Sequence, residues 1–86
     1  MDFPKVLKEK QLEMGMTVAQ FARYLGKSRQ FLIVIFSNSP KLRKYRLSEL
    51  TMYSLNKTLG IEQEIMDEYN KKVVEHNERI EKPTSR

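Results

Sequence analysis

Val18-Ala19-Gln20-Phe21-Ala22-Arg23-Tyr24-Leu25-Gly26-Lys27-Ser28-Arg29-Gln30-Phe31-Leu32-Ile33-Val34-Ile35-Phe36-Ser37 is the stretch on which the reading of this chain turns. It opens just after Thr17, and Thr17-Val18-Ala19-Gln20 has the form of a capping box, in which hydroxyl and carboxamide satisfy each other's backbone N–H. Met16 and Phe21 stand where a hydrophobic staple closes over such a cap. Gly26 ends the first helix, because it takes the left-handed conformation that a side chain resists. Ser28 is the next N-cap. The run Phe31 to Phe36 has strand propensity, but no second strand-like run exists to pair with it, so it is read as a helix. Two short helices that cross at a tight turn need a small residue at the crossing, here Ala22, and a glycine in the turn, here Gly26. They also need inward apolar residues, supplied by Phe21 and Leu25 on the first helix and by Leu32 and Ile35, three apart, on the second.

Helical signals continue on both sides. Asp2 as cap, Pro4 in the first turn and Gly15 as stop define a first helix over residues 2–14. Asn38-Ser39-Pro40 breaks the chain after the quoted stretch. A loop follows whose residues Lys41, Arg43, Lys44 and Arg46 place four cations in six positions. Ser48 caps a fourth helix over 49–59, closed by Gly60, and a fifth runs from Glu62 to about Glu81, ahead of Pro83. The expected organisation is all-α with five helices in total: a domain over residues 1–61, a longer C-terminal helix within 62–82 and a polar tail at 83–86. On that last helix Met66, Tyr69, Val73, His76 and Ile80 recur at spacings of 3 and 4, the pattern of a coiled-coil seam. Such a seam either packs back on its own domain or joins a second copy in a homodimer.

Composition narrows the function. The chain has 86 residues, enough for one small domain. With no cysteine there is neither a disulfide framework nor a thiolate metal site. The longest apolar run, six residues at 31–36, is far below the roughly 20 that cross a bilayer. The start, Met-Asp-Phe-Pro-Lys, has an acid where a signal peptide carries a basic cluster. A cytoplasmic protein is expected, at the nucleoid if the source is bacterial, with no membrane partner. Residues 1–61 hold 11 Lys/Arg against 4 Asp/Glu, a net of +7, and residues 62–86 hold 5 against 7, a net of −2. A basic body with an acidic tail is the charge pattern of a polyanion-binding surface.

Over residues 5–61 the sequence resembles the Cro/CI-type helix-turn-helix family, the λ-repressor-like or XRE group. The resemblance rests on Leu7, Gly15, Thr17, Phe21-Ala22, Leu25-Gly26, Ser28, Leu32, Ile35, Pro40 and Leu59-Gly60-Ile61, and covers about two-thirds of the chain. Three positions depart from the family pattern. Lys27 fills a slot that is usually apolar, and Val18 fills one that often holds a phosphate-touching glutamine. Gln11 and Phe36 replace an arginine and a glutamate that often pair, so no orphan charge is left. The resemblance implies a compact five-helix λ-repressor-like domain with its helix-turn-helix at residues 18–37, and double-stranded DNA as partner. The helix beginning after Ser28 would enter the major groove. Arg29 and Gln30 would read bases, since Arg matches guanine O6 and N7 and Gln matches adenine N6 and N7. Val34 would meet a thymine methyl. Thr17, Gln20, Lys27 and Ser28 would contact phosphates, as would Lys41, Arg43, Lys44 and Arg46 of the loop.

On the helix wheel Leu32 and Ile35 face inward, while Arg29, Gln30, Ile33 and Val34 face outward. Outward Ile33 and Val34 allow three readings: contact with thymine methyls, contact with a protein, or packing of one of them beneath the 41–46 loop. The expected function is a small sequence-specific transcriptional regulator, a repressor of phage or mobile-element type, acting as a homodimer. Dimer or partner contacts are assigned to Ile33, Met66, Tyr69, Val73 and Ile80. Two alternatives are a protein-interaction module gripping a partner through helix 31–36, and an architectural or excision factor that bends DNA. No catalytic set is present, His76 has no cysteine or clustered carboxylate beside it, and neither an enzyme activity, a metal, a cofactor nor a small-molecule substrate is expected.

Overall fold

Each helix begins and ends at a residue whose chemistry sets the boundary. The computed structural model describes residues 2–37 and 41–81; the expected break at Asn38-Ser39-Pro40 and the tail at 83–86 lie outside the described residues. Among the described residues there are five helices and no strand: α1 (Phe3–Glu13), α2 (Val18–Leu25), α3 (Arg29–Phe36), α4 (Glu49–Leu59) and α5 (Gln63–Glu81). At α2 the capping box is complete: Gln20 N–H donates to Thr17 Oγ1 at 3.1 Å, and Thr17 N–H donates to Gln20 Oε1 at 3.0 Å. Ser28 and Ser48 cap α3 and α4 in the same manner, accepting from Phe31 N–H and Thr51 N–H. Asp2 differs from expectation: it occupies the N-cap position of α1, but its side chain makes no capping hydrogen bond. Pro4 in the first turn, with φ already fixed, carries that start instead.

Gly26 shows what the short turn demands. Its φ is +70°, and Lys27 N–H reaches back to the Ala22 carbonyl at 2.9 Å. An added Cβ would meet nothing within 4 Å, so glycine is required by the backbone angle and not by crowding.

The five helices enclose one core. Phe3 and Leu7 of α1, Phe21 and Ala22 of α2, Leu32 and Ile35 of α3, Met52 and Leu55 of α4, and Leu47 and Ile61 from the connections are all buried in it. α5 adds Met66, Tyr69 and Val73. These three residues were expected on a dimer seam, and that assignment does not hold for them: they lie under 10% exposed inside their own chain and have no surface left to offer a partner. Of the proposed contact residues on α5, Ile80 is the one that stays exposed. The spacing found the apolar side of α5 correctly; what covers that side is α1, α4 and the connections.

Gln11 and Phe36 have local partners. Gln11, 5% exposed, donates through Nε2 to the Met16 carbonyl at 2.9 Å and accepts from Lys8 Nζ at 3.2 Å. It ties α1 to the turn before α2. The Lys8 ammonium also lies 5.0 Å from the centre of the Phe36 ring, a cation–π contact between α1 and α3.

Tyr69 packs its ring 4.9 Å from that of Phe3, and its hydroxyl donates to the Tyr45 carbonyl at 3.2 Å. Burial, reinforced by the negative charge of Asp2, pushes the phenol up to about 12. A folded-state value raised above the unfolded one of about 10 means the native chain holds this proton longer. The associated stability is whole below pH 10 and is lost as pH rises through 12. Urea unfolding at pH 9 and pH 11.5 is expected to show wild type losing about 1–2 kcal/mol more over that interval than Tyr69→Phe, after allowance for partial solvent screening. Equal losses in the two proteins would mean that this hydroxyl titrates as in the unfolded chain.

Candidate nucleic-acid interface

Ser28 fixes the start of α3 and leaves its hydroxyl proton available to donate outward. On the first turn beyond it Arg29 and Gln30 are exposed, and one turn further Ile33 is 38% exposed. At about 100° per residue these three share one arc of α3. The opposite arc is clamped by burial of Leu32 and Ile35 against α1 and α2, so the exposed side chains stand on a fixed support. Arg29 meets no carboxylate among the described residues. The helix therefore presents a planar cation, a carboxamide and a small apolar face in one row.

Val34 is not in that row. It is 3% exposed, contrary to the outward orientation expected of a base-reading residue. The segment 41–47, here called the strap, reaches the backbone beside it. The Lys44 ammonium donates to the Val34 carbonyl at 3.3 Å and to the Ser37 carbonyl, so the strap crosses the end of α3 where Val34 lies. α3 is buried beyond the arc of Leu32 and Ile35, and a wheel drawn for one covered side misplaces Val34. Of the three readings open for Ile33 and Val34, packing beneath the loop fits Val34, and exposure fits Ile33.

Lys27 and Lys44, both expected as phosphate contacts, are each engaged with other parts of the chain. Lys27 donates to Thr51 Oγ1 of α4 at 2.7 Å and lies 5.5 Å from the centre of the Phe31 ring. The ammonium thereby ties the turn after α2 to α4. Lys44 is the second. Its ammonium sits on carbonyls at the C-terminal end of α3, where helix dipole and orphan acceptors both favour a cation. Burial lowers its pKa below the ordinary lysine value.

The other expected contacts stay at the surface. Thr17 and Gln20 are exposed, and beyond their reciprocal cap the hydroxyl proton and the carboxamide NH₂ face outward chemistry. Lys41, Arg43 and Arg46 are exposed on the strap.

What holds the strap was not expected. Asn77 Nδ2 donates to the Lys44 carbonyl at 2.8 Å, and its Oδ1 accepts from Lys44 N–H at 3.0 Å. Asn70 does the same for Leu47, with distances of 3.0 and 2.7 Å. His76 Nε2 is 2.8 Å from the Leu42 carbonyl, which has no proton to give, so the ring N–H donates. The signal was present in the sequence as Tyr69-Asn70 and His76-Asn77, the same polar pairing repeated one heptad later beside an apolar seam.

Among the described residues no three His, Cys, Asp or Glu side chains gather to hold a metal ion, and no helix is long and apolar enough to cross a membrane. No protein-family model matches this chain, nor does any curated protein or solved structure.

Proposed function

We propose that this chain is a small sequence-specific double-stranded-DNA-binding regulator of λ-repressor-like type, and that it acts as a repressor by occupying its site. The observation that carries the reading is the exposed row Arg29, Gln30 and Ile33 on a short helix held by its buried side, reached from α2 through a three-residue turn. In the major groove Arg29 would hold guanine and Gln30 adenine, with Ile33 against a thymine methyl. Thr17, Gln20, Ser28 and the strap cations Lys41, Arg43 and Arg46 would fix the register on phosphates. The alternative of a protein-gripping helix 31–36 is weakened, because Leu32, Val34 and Ile35 are buried and Phe31 and Phe36 are half-buried beneath lysine ammonium groups.

The test begins with fluorescence anisotropy on a random 30-base-pair duplex across a salt series. Log affinity is expected to fall linearly with log salt, at about 0.9 per phosphate contact. A duplex obtained by selection then serves for Arg29→Ala. That variant is expected to lose about 1–3 kcal/mol of discrimination, roughly 5- to 150-fold, at one base pair, while binding to random duplex changes little. An Arg29→Ala protein that keeps wild-type preference at every base pair removes Arg29 from the reading, and a wild-type protein that binds no duplex at low salt removes the reading itself.

A further inference from the structure

We propose that Asn77 is a positioning residue for the nucleic-acid surface: it holds the strap, and through Lys44 the end of α3, in the arrangement that meets the polyanion. The proposal rests on the DNA-binding reading above.

The argument starts from length. Asn70 and Asn77 are seven residues apart on one face of α5, a rise of about 10.5 Å. Their backbone partners, Lys44 and Leu47, are three residues apart, and three residues of fully extended chain span about 10–11 Å. An extended strap with a three-residue twist, rising about 9 Å between these two residues, presents both backbones to the same side, so α5 acts as a ruler for it. Each carboxamide takes both the N–H and the C=O of one residue, as a neighbouring strand would. The Tyr69 hydroxyl and the His76 ring fix two further carbonyls, those of Tyr45 and Leu42.

The two asparagines differ in what else they do. Asn70 is buried beside the core, and its loss disturbs the fold. Asn77 is half-exposed and stands one turn beyond Val73, the last buried apolar residue of α5. Its partner Lys44 is held twice, by its backbone on α5 and by its ammonium on the Val34 and Ser37 carbonyls. Residue 44 therefore bridges α5 to α3, and exposed Arg46 follows two residues later. A strap already extended needs no ordering when its cations meet phosphates; one released from Asn77 does.

Asn77→Ala replaces a neutral side chain by a neutral one, so a changed salt slope cannot come from the substituted group. The experiment measures anisotropy of the whole chain on the 30-base-pair duplex over a salt series, with amide hydrogen exchange at Lys44 and helicity followed in parallel. The expected result is unchanged helicity, exchange at the Lys44 amide at least tenfold faster and duplex affinity about tenfold weaker. The slope should be shallower by about 0.9 for each strap cation that disengages. Faster exchange with wild-type affinity and slope overturns the proposal alone, and unchanged exchange overturns it too, because the clamp would then not be holding the strap. No binding by the wild-type protein defeats the DNA reading and the proposal together. If Asn77→Ala loses helicity, Asn77→Ser, which keeps one hydrogen-bonding group, takes its place in the same measurements.

Discussion

Phe21→Ala is expected to lower the unfolding free energy by about 3–5 kcal/mol. The ring is fully buried where α2 meets α3, and alanine leaves a cavity that the packed helices fill only in part. A domain of 86 residues has about 4–13 kcal/mol in total, so the variant is expected to sit near the edge of folding. At about 4–8 °C per kcal/mol its Tm falls by at least about 12 °C. Urea unfolding followed at 222 nm measures this directly. Leu50→Ala supplies the contrast: Leu50 is 78% exposed, and its loss is expected to change stability by no more than about 0.5 kcal/mol. A loss below about 1.5 kcal/mol for Phe21→Ala would mean that the α2–α3 contact closes over the gap, contrary to a rigid support for α3.

The second large effect is polar. Asn70→Leu keeps the approximate volume but removes both partners of the Leu47 backbone. Leu47 is 2% exposed and water has little access to its N–H and C=O. Each buried group left unsatisfied costs about 1–3 kcal/mol, so the variant is expected to lose about 2–6 kcal/mol. Amide exchange at Leu47 should rise toward the rate of an open segment before the rest of the chain unfolds. Asn70→Ala, which makes room for a water, should be less damaging. A neutral Asn70→Leu would show that Leu47 finds other partners, and would remove one of the two clamps from α5.

These two residues mark the limit of what the sequence discloses. Phe21 belongs to a pattern with a strong local code: a capping box before it, a small residue beside it and a left-handed glycine after it. Serine caps at 28 and 48 are similarly local, and the helices fall where those signals stand. The run 31–36 is apolar almost all round, so its wheel carries no unique inward side. The strap that reaches the Val34 carbonyl arrives from residues beyond the helix, and no reading of 29–36 alone includes it. On α5 the seam reveals which side is apolar, while its occupant depends on the rest of the chain; Met66, Tyr69 and Val73 prove to be core. Lys27 and Lys44 counted as free cations in the composition, yet each is tied by a contact to a distant residue. Exposed Arg29 and Gln30 were legible because these polar side chains lie away from Leu32 and Ile35 on the wheel.

The clamps also impose an order of assembly during synthesis. The α2–α3 turn draws its backbone hydrogen bonds from within residues 17–37. The strap is tied over separations of 23 to 34 residues, from Leu47–Asn70 to Leu42–His76. A ribosome adding roughly 5–20 residues per second delivers Asn77 about 2–8 seconds after Ser37. During that interval a nascent chain contains the residues of the crossing pair but not the clamp that ties its basic flank. The last-made helix thus finishes the surface that the first-made helices begin, and a chain stopped short of residue 77 is expected to carry the recognition row but not its ruler.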